Sequence, residues 1–269
     1  MSESPADIPP PWWGTYPLRL NEGARWALGP IQLGAEHLPG EVRLSWGTEG
    51  VPELREIATA IPSEGTPHAP DATLARFPLS GADASITLRP ALPDRAVVAR
   101  PDTTLWVLAQ QRIDLFVSVP LWVDISLTAD AAPVQSLASV RLSDTWFGPS
   151  PRQGELCYSS RTQARLDVTK FPQHPIRAVT RVTIDNCRPT AVRVDRLKLP
   201  APLLGLYATP DHRFWTSSVE LKPTDGDSAT HVHLRPPKGL ADDRFERITP
   251  ARRHQTTNAF ERALSALIG

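Results

Sequence analysis

Short runs in which apolar and polar residues alternate recur along nearly the whole chain. In EVRLSW, residues 41–46, Val42, Leu44 and Trp46 alternate with Glu41, Arg43 and Ser45, the period-two signature of a half-buried strand. ARWALGPIQLGAEHLPGEVRLSWG, residues 24–47, predicts three such strands, punctuated by Gly-Pro and Pro-Gly. SITLRPALPDRAVVARP, 85–101, predicts two more. TTLWVLAQQRIDLFVSVPLWVDISL, 103–127, is the most hydrophobic region. Its runs are short, β-branched and aromatic, which favours strands over a buried helix. Pro120 predicts a bulge or an edge switch there. SLASVRLSDTW, 136–146, reads as one strand. RAVTRVTIDNCRPTAVRVDRLKL, 177–199, predicts a hairpin. Ala178, Val179, Val182 and Ile184 lead into the turn residues Asp185, Asn186 and Pro189, and Val192, Val194, Leu197 and Leu199 return. LLGLYA, RFWTSSVEL and ATHVHLR supply further strands. VPELREIATAI, 51–61, fits either a short helix or a pair of strands, and 62–72 reads as a loop.

The pattern changes near the end. Phe260, Ala263, Leu264, Leu267 and Ile268 follow the i, i+3, i+4, i+7, i+8 stripe of an amphipathic helix. Asn258 suits its N-cap and Glu261 the capping-box position. The resulting expectation is an all-β protein of two sandwich-like lobes, immunoglobulin-like or jelly-roll-like, built from short antiparallel strands with one C-terminal amphipathic helix. A Pro-rich disordered arm spans 1–11, an N-terminal lobe 12–100, a C-terminal sandwich lobe 101–240, and a charged tail with the helix 241–269.

Composition supports that picture. Proline accounts for 29 of 269 residues, roughly twice the usual ~5%, and it breaks helix interiors. Lys plus Arg equals Asp plus Glu at 29 each, so no net basic field draws in nucleic acid. Two cysteines, Cys157 and Cys187, make no disulfide framework, and free thiols are expected. MSESPADIPPPWWG lacks the basic and apolar regions of a secretory signal. No apolar run reaches the ~20 residues of a membrane helix. The expected compartment is the cytoplasm.

Candidate chemistry is sparse. No Walker loop, dinucleotide fingerprint, Gly-x-Ser-x-Gly elbow or His-Glu-x-x-His occurs. Cys157 lacks any local nucleophile signature, and a free cysteine is most often a small buried hydrophobe. His231 and His233, two apart in THVHL, share one face of a strand. That is the layout of a cupin-type metal site, but the glutamate expected shortly after is missing. His212 and His37 are possible third ligands that nothing in the sequence places there. Eight tryptophans invite a sugar-stacking platform, yet most lie inside alternating runs, as core anchors do. Asp242 and Asp243 sit beside Arg244 in a charged tail, which suits a solvated face better than glycosidase chemistry.

TWFGPSPRQGELCYSS, 145–160, is the densest stretch. Trp146 and Phe147 close a strand, Gly148 and Pro149 turn it, and Glu155 to Tyr158 begin the next; Arg152 and Glu155 could form an ion pair across the loop. With RAVTRVTIDN, VDRLKLPAPLLGLY, FWTSSVEL, ITLRPALPDRAVVARP and VSVPLWVDISL it resembles the bacterial and archaeal DUF432 family, over most of 80–221 and the WWG start at 12–14. The motif carrying the resemblance comprises Trp146, Phe147, Gly148, Gly154, Glu155, Cys157 and Tyr158. The resemblance implies no activity, catalytic residue or cofactor. It does imply a neighbourhood with small mechanosensitive channels, which makes such a channel one partner to consider.

The functional expectation is a non-enzymatic, all-β binding or interaction protein without a cofactor. A protein partner or self-association would act through the C-terminal helix, with Phe260, Leu264, Leu267 and Ile268 as contacts. The alternatives are a metal-dependent cupin-like enzyme using His231 and His233, and a carbohydrate-binding module.

Overall fold

The computed structural model describes residues 11–48, 57–63, 72–79, 81, 83–129, 131–171, 174–223, 230–238 and 244–253. Its strands, in chain order, begin with β1 (Gly14–Leu18), β2 (Gly23–Leu28), β3 (Ile31–Leu38), β4 (Glu41–Gly47), β5 (Ile57–Ser63), β6 (Thr73–Pro78) and β7 (Ala84–Ala91). There follow β8 (Val97–Pro101), β9 (Leu105–Val107), β10 (Arg112–Pro120), β11 (Trp122–Ser126), β12 (Gln135–Ala138), β13 (Ser143–Ser150) and β14 (Gln153–Ala164). The last are β15 (Arg177–Asp185), β16 (Val192–Val194), β17 (Leu197–Leu199), β18 (Leu206–Ala208), β19 (Phe214–Thr216), β20 (Ser218–Pro223), β21 (Thr230–Arg235) and β22 (Glu246–Thr249). Only two single-turn 3-10 helices, Val168–Lys170 and Ala201–Leu203, interrupt the β-structure among the described residues. The protein is all-β, as its alternating pattern predicts. The expected C-terminal helix, 258–268, lies outside the described residues.

The chain folds into two units that interleave in sequence. One comprises residues 1–91 and 122–140, the other 92–121 and 141–269.

The first unit holds a four-stranded sheet, ordered β1-β7-β11-β12, and a five-stranded sheet, ordered β5-β2-β3-β4-β6. The predicted strands of 24–47 are here as the meander β2-β3-β4. The two-residue turn between Leu38 and Glu41 is Pro39-Gly40. Gly40 has φ +80°, the left-handed conformation a type II turn requires after proline. Burial follows period two along β3 apart from Gly34 and along β7 apart from Thr87 and Ala91, and Trp26, Leu28, Ile31, Leu44, Ile86 and Leu88 are among the fully buried side chains of the core. Tyr16 on β1 meets Trp26 on β2 edge to face, with ring centroids 5.3 Å apart. Residues 57–61, open between helix and strand on sequence, form the strand β5, which also takes in Pro62 and Ser63, expected in a loop.

The second unit is organised around β15. Along one side β15 pairs antiparallel with β10 over nine residues, from Arg112↔Asp185 to Pro120↔Arg177. Along the other it runs parallel to β19 and β20. The full seven-stranded order is β21-β20-β15-β19-β18-β22, with β10 added at β15. A four-stranded sheet, β13-β14-β8-β17, and the ribbon β16-β9 complete the unit.

Three expectations are corrected here. First, the sheets are mixed: β14 also runs parallel to β8. Second, 177–199 is not a hairpin, since β16 pairs with β9 and β17 with β8. The cause is Asn186, whose buried amide donates to the carbonyls of Val107, Leu108 and Thr190, at 2.9 Å each. These bonds turn the chain toward β9 and away from its own preceding strand. Third, 136–146 is two strands, β12 and β13, separated by residues 139–142 and belonging to different sheets. Pro120 is the last residue of β10, and Trp122 opens β11 in another sheet. The switch expected at that proline is therefore a change of sheet.

An ion pair stitches β10 to β15. Arg181 donates to Asp114 Oδ2 at 2.6 Å, and Thr183 donates to Oδ1 at 2.6 Å. Burial alone raises the Asp114 carboxyl, but these donors outweigh it, so its pKa lies below the ordinary value. A carboxyl lowered in the folded state contributes stability that is present above its unfolded pKa and lost as pH falls through the folded one. Asp114→Asn is expected to lower stability at neutral pH and to shrink the loss on acidification. Urea midpoints compared between about pH 7 and pH 3 check this.

Candidate interaction site on the 143–164 hairpin

The motif TWFGPSPRQGELCY forms one antiparallel hairpin of β13 and β14. Its register runs Ser143↔Ser159, Asp144↔Tyr158, Thr145↔Cys157, Trp146↔Leu156 and Phe147↔Glu155, with a bulge before Ser150↔Gln153. Alternation sends Phe147, Glu155 and Cys157 to one face and Trp146, Leu156 and Tyr158 to the other.

The first face is internally satisfied. Phe147, Cys157 and Val98 form a small buried cluster with Ala96 packed against it. Arg196 and Lys198 stand over the Phe147 ring, at 5.0 and 5.5 Å from its centroid, a cation–π arrangement. Lys198, only 5% exposed, places Nζ 2.7 Å from Glu155 Oε1. The expected partner of Glu155, Arg152, is replaced by this lysine. A lysine stem on β17 buries its methylenes against the cluster while its ammonium finds a carboxylate at the rim.

Two glycines are explained by space. A Cβ on Gly148 would lie 2.1 Å from the Gln153 carbonyl oxygen and 2.5 Å from Gly154 Cα. A Cβ on Gly154 would lie 2.6 Å from the Phe147 carbonyl oxygen and 2.8 Å from the Trp146 indole nitrogen. The indole N–H of Trp146 donates to the Ser150 carbonyl at 2.9 Å. The bulged hairpin end is thus closed by an indole laid across a glycine.

Cys157 is fully buried. Burial, followed by the nearby Glu155 charge, pushes its thiol up to about 12, so it is no nucleophile at neutral pH. Cys187 is exposed, and both cysteines are free. One fast-reacting thiol is expected in the native protein and two in denaturant. Titration with a chromogenic disulfide, without reductant, counts them; two fast thiols would contradict the packing around Phe147.

The second face is open. Trp146 is 44% exposed and Leu156 opposite it 47%, and β13 is the edge strand of its sheet. Charged groups border the pair. Tyr158 donates to Asp94 Oδ1 at 2.9 Å, and Arg95 lies 5.3 Å from the Tyr158 ring centroid and 3.2 Å from Asp144. A directly opposed Trp–Leu pair with a polar surround has the make-up of a small protein contact.

The other candidates are placed as follows. His231 and His233 stand on β21, opposite Lys222 and Glu220, and His233 is exposed. The Glu220 carboxylate is engaged by Arg235 at 3.2 Å, Arg112 at 3.6 Å and Lys222 at 3.9 Å. Among the described residues no group of three or more His, Cys, Asp or Glu is arranged around a common point. His37 is buried on β3 in the first unit, bonded to the Leu18 carbonyl, and His212 lies in the turn before β19. Of the tryptophans, Trp12, Trp26 and Trp215 are buried, whereas Trp106 and Trp146 are exposed. Phe260, Leu264, Leu267 and Ile268 lie outside the described residues. Lys198 and Arg196 escape a reading of the sequence. Their one signal is a lysine set in an apolar strand, Leu197-Lys198-Leu199.

No helix among the described residues is long and apolar enough to cross a membrane. No curated protein and no solved structure matches the chain. A family model does, over residues 12–267, taking in both the WWG start and the 80–221 segments that carry the resemblance. By that match the chain belongs to the DUF432 family, described as proteins of unknown function.

Proposed function

We propose that this is a non-enzymatic binding and interaction protein of the cytoplasm, with a sandwich-like lobe in each unit, and that the Trp146–Leu156 face is a contact surface. One observation carries this. Phe147, Gly148, Gly154, Glu155, Cys157 and Tyr158 are taken up by packing, ion pairing, hydrogen bonding or tight turning, while the large apolar side chains of Trp146 and Leu156 sit side by side with nearly half their surface open. Isolated exposed apolar residues are ordinary; a directly opposed pair on an edge hairpin, ringed by Asp94, Arg95 and Asp144, suits a partner's side chain inserted between them. A mechanosensitive channel is one such partner.

A photo-crosslinking phenylalanine analogue at position 156, expressed in the native cell, tests this. A discrete protein adduct at 156, with none at the equally exposed Leu74 of β6, is expected. The same adducts at both positions, or none at either, would sink the reading. So would a stoichiometric transition metal in the purified protein that is lost when His231 and His233 become Ala.

A further inference from the structure

We propose that the exposed face of the β9–β16 ribbon, built on Trp106, is a binding platform for a neutral saccharide. This goes beyond the reading of the Trp146–Leu156 face, since the ribbon is a sheet of its own.

The strand register assembles the platform. Trp106 on β9 stands directly opposite Arg193 on β16. Thr104 and Asp195 lie two residues away along the two strands, on the same face. Trp106 is 60% exposed and Leu108, two residues further on, 62%; no other large apolar side chain among the described residues is as open. Behind them Val107, Val192 and Val194 are buried, and the Asn186 amide donates to the Val107 and Leu108 carbonyls at 2.9 Å each. The ribbon is therefore held from the rear, and the indole projects from a fixed base.

The polar groups beside the ring are ordered on one another. Asp195 Oδ1 accepts the Thr104 hydroxyl at 2.7 Å, and Arg193 Nη2 lies 2.9 Å from Oδ2. Arg193 is thus drawn along its own strand and not onto the ring. Among the described residues no cation and no other ring lies over the Trp106 indole. A carboxylate offers about four acceptor positions, and a guanidinium several donors, so both keep capacity toward solvent, which both side chains reach.

An uncovered aromatic plate beside a fixed polar frame whose charges cancel selects the ligand. A pyranose has an apolar C–H face and a rim of hydroxyl groups. The face covers the indole and removes it from water, and the hydroxyls bond the carboxylate and guanidinium with charge assistance. Opposed residues stand ~5 Å apart and residues two apart on a strand ~7 Å, so a ring seated on Trp106 brings its substituents to the frame. An apolar protein side chain would strip the ion pair of water and return no hydrogen bond. A phosphate meets no net positive charge there. The Trp146 indole differs on each count: its opposite neighbour is Leu156, and its N–H is engaged by the Ser150 carbonyl.

Calorimetric titration of the full chain with cellohexaose, maltohexaose and chitohexaose tests the proposal. Saturable binding of at least one of them is expected, with a Kd of about 1 mM or tighter. Trp106→Ala should abolish it and Trp106→Phe should retain part of it. Asp195→Ala should weaken it roughly tenfold, the loss of one charge-assisted hydrogen bond. Trp146→Ala should leave it unchanged, so a failure here is separate from any failure of the Trp146–Leu156 contact. No saturation with any of the three sugars, or saturation that survives Trp106→Ala, overturns the proposal. With the sugars inert, binding of an oligothymidylate through Trp106 assigns the ring to a nucleobase and overturns it too. So does a protein adduct, dimeric or with another chain, from a photo-crosslinker at position 106 when no sugar binds.

Discussion

Asn186→Asp is expected to lose roughly 3–5 kcal/mol of stability at neutral pH, the scale of an uncompensated buried charge. The native amide is fully buried. Its nitrogen faces three carbonyls at 2.9 Å, its oxygen accepts the Arg188 N–H at 3.1 Å, and its own backbone N–H donates to Gln111. Two amide hydrogens serve three acceptors, so at least one is shared. A carboxylate there would turn a negative oxygen toward those carbonyls and supply no hydrogen. Its pKa would rise in the folded state. The variant's folded state is then favoured below the unfolded carboxyl pKa and loses ground as pH rises through the raised value. Asn186→Ala only withdraws the donor, which costs about 1–3 kcal/mol and has no such pH dependence. Urea unfolding of both variants at neutral and mildly acidic pH separates the cases. An Asp variant no weaker than the Ala variant at neutral pH would mean that Asn186 does not steer the turn.

Gly148→Ala carries the second large effect, about 3 kcal/mol or more, at or beyond the upper end of what overpacking costs. The obstacle is backbone: the Gln153 carbonyl and Gly154 Cα occupy the space a methyl would need. No rotamer change relieves it, so the bulged end of the hairpin must open. Gly154→Ala meets the Trp146 indole as well as backbone, and displacing that ring should alter tryptophan emission. Gly47→Ala is the matched control, because a Cβ there meets nothing within 4 Å. It should stay within about 0.5 kcal/mol of the parent, as substitutions away from packed features do. Equal midpoints for the 148 and 47 variants would contradict the close approach. Exposed Trp146 and Leu156 lie beside this end, so the Gly148 variant should also lose any crosslink formed from position 156.

Strand positions were legible in the chain because alternation is a local property. Glu41–Leu44 shows its buried face in four residues, with Val42 and Leu44 inward, though Ser45 is buried and Trp46 only partly so; Pro39-Gly40 shows its turn in two. Cys157 was legible as a buried thiol only from the general tendency of free cysteine; alternation sets it with Glu155, opposite the apolar Leu156, which is the face left exposed. The motif glycines were visible as turn residues. That Gly154 must make room for the Trp146 ring was not, because the ring reaches it only across the bulge.

Pairing was a different matter. Alternation says which side chains are buried and is silent on which strand lies alongside. The 177–199 segment has the pattern of a hairpin, yet β15 lies between β10 and the pair β19 and β20. A single buried amide redirects the chain there, and two of its four side-chain bonds are to carbonyls, of Val107 and Leu108, that only the fold brings near. Lys198 and Glu155 are likewise joined across two strands of one sheet, over a separation no spacing rule covers, so Arg152 was the nearer but wrong partner. The interleaving of the two units at 91, 121 and 140 follows from the same limit. Local physics determined that this chain is all-β, where most strands begin, and which residues face inward. Only the tertiary structure decided which strands meet, which charges pair, and that Trp146 and Leu156 are left together on the outside.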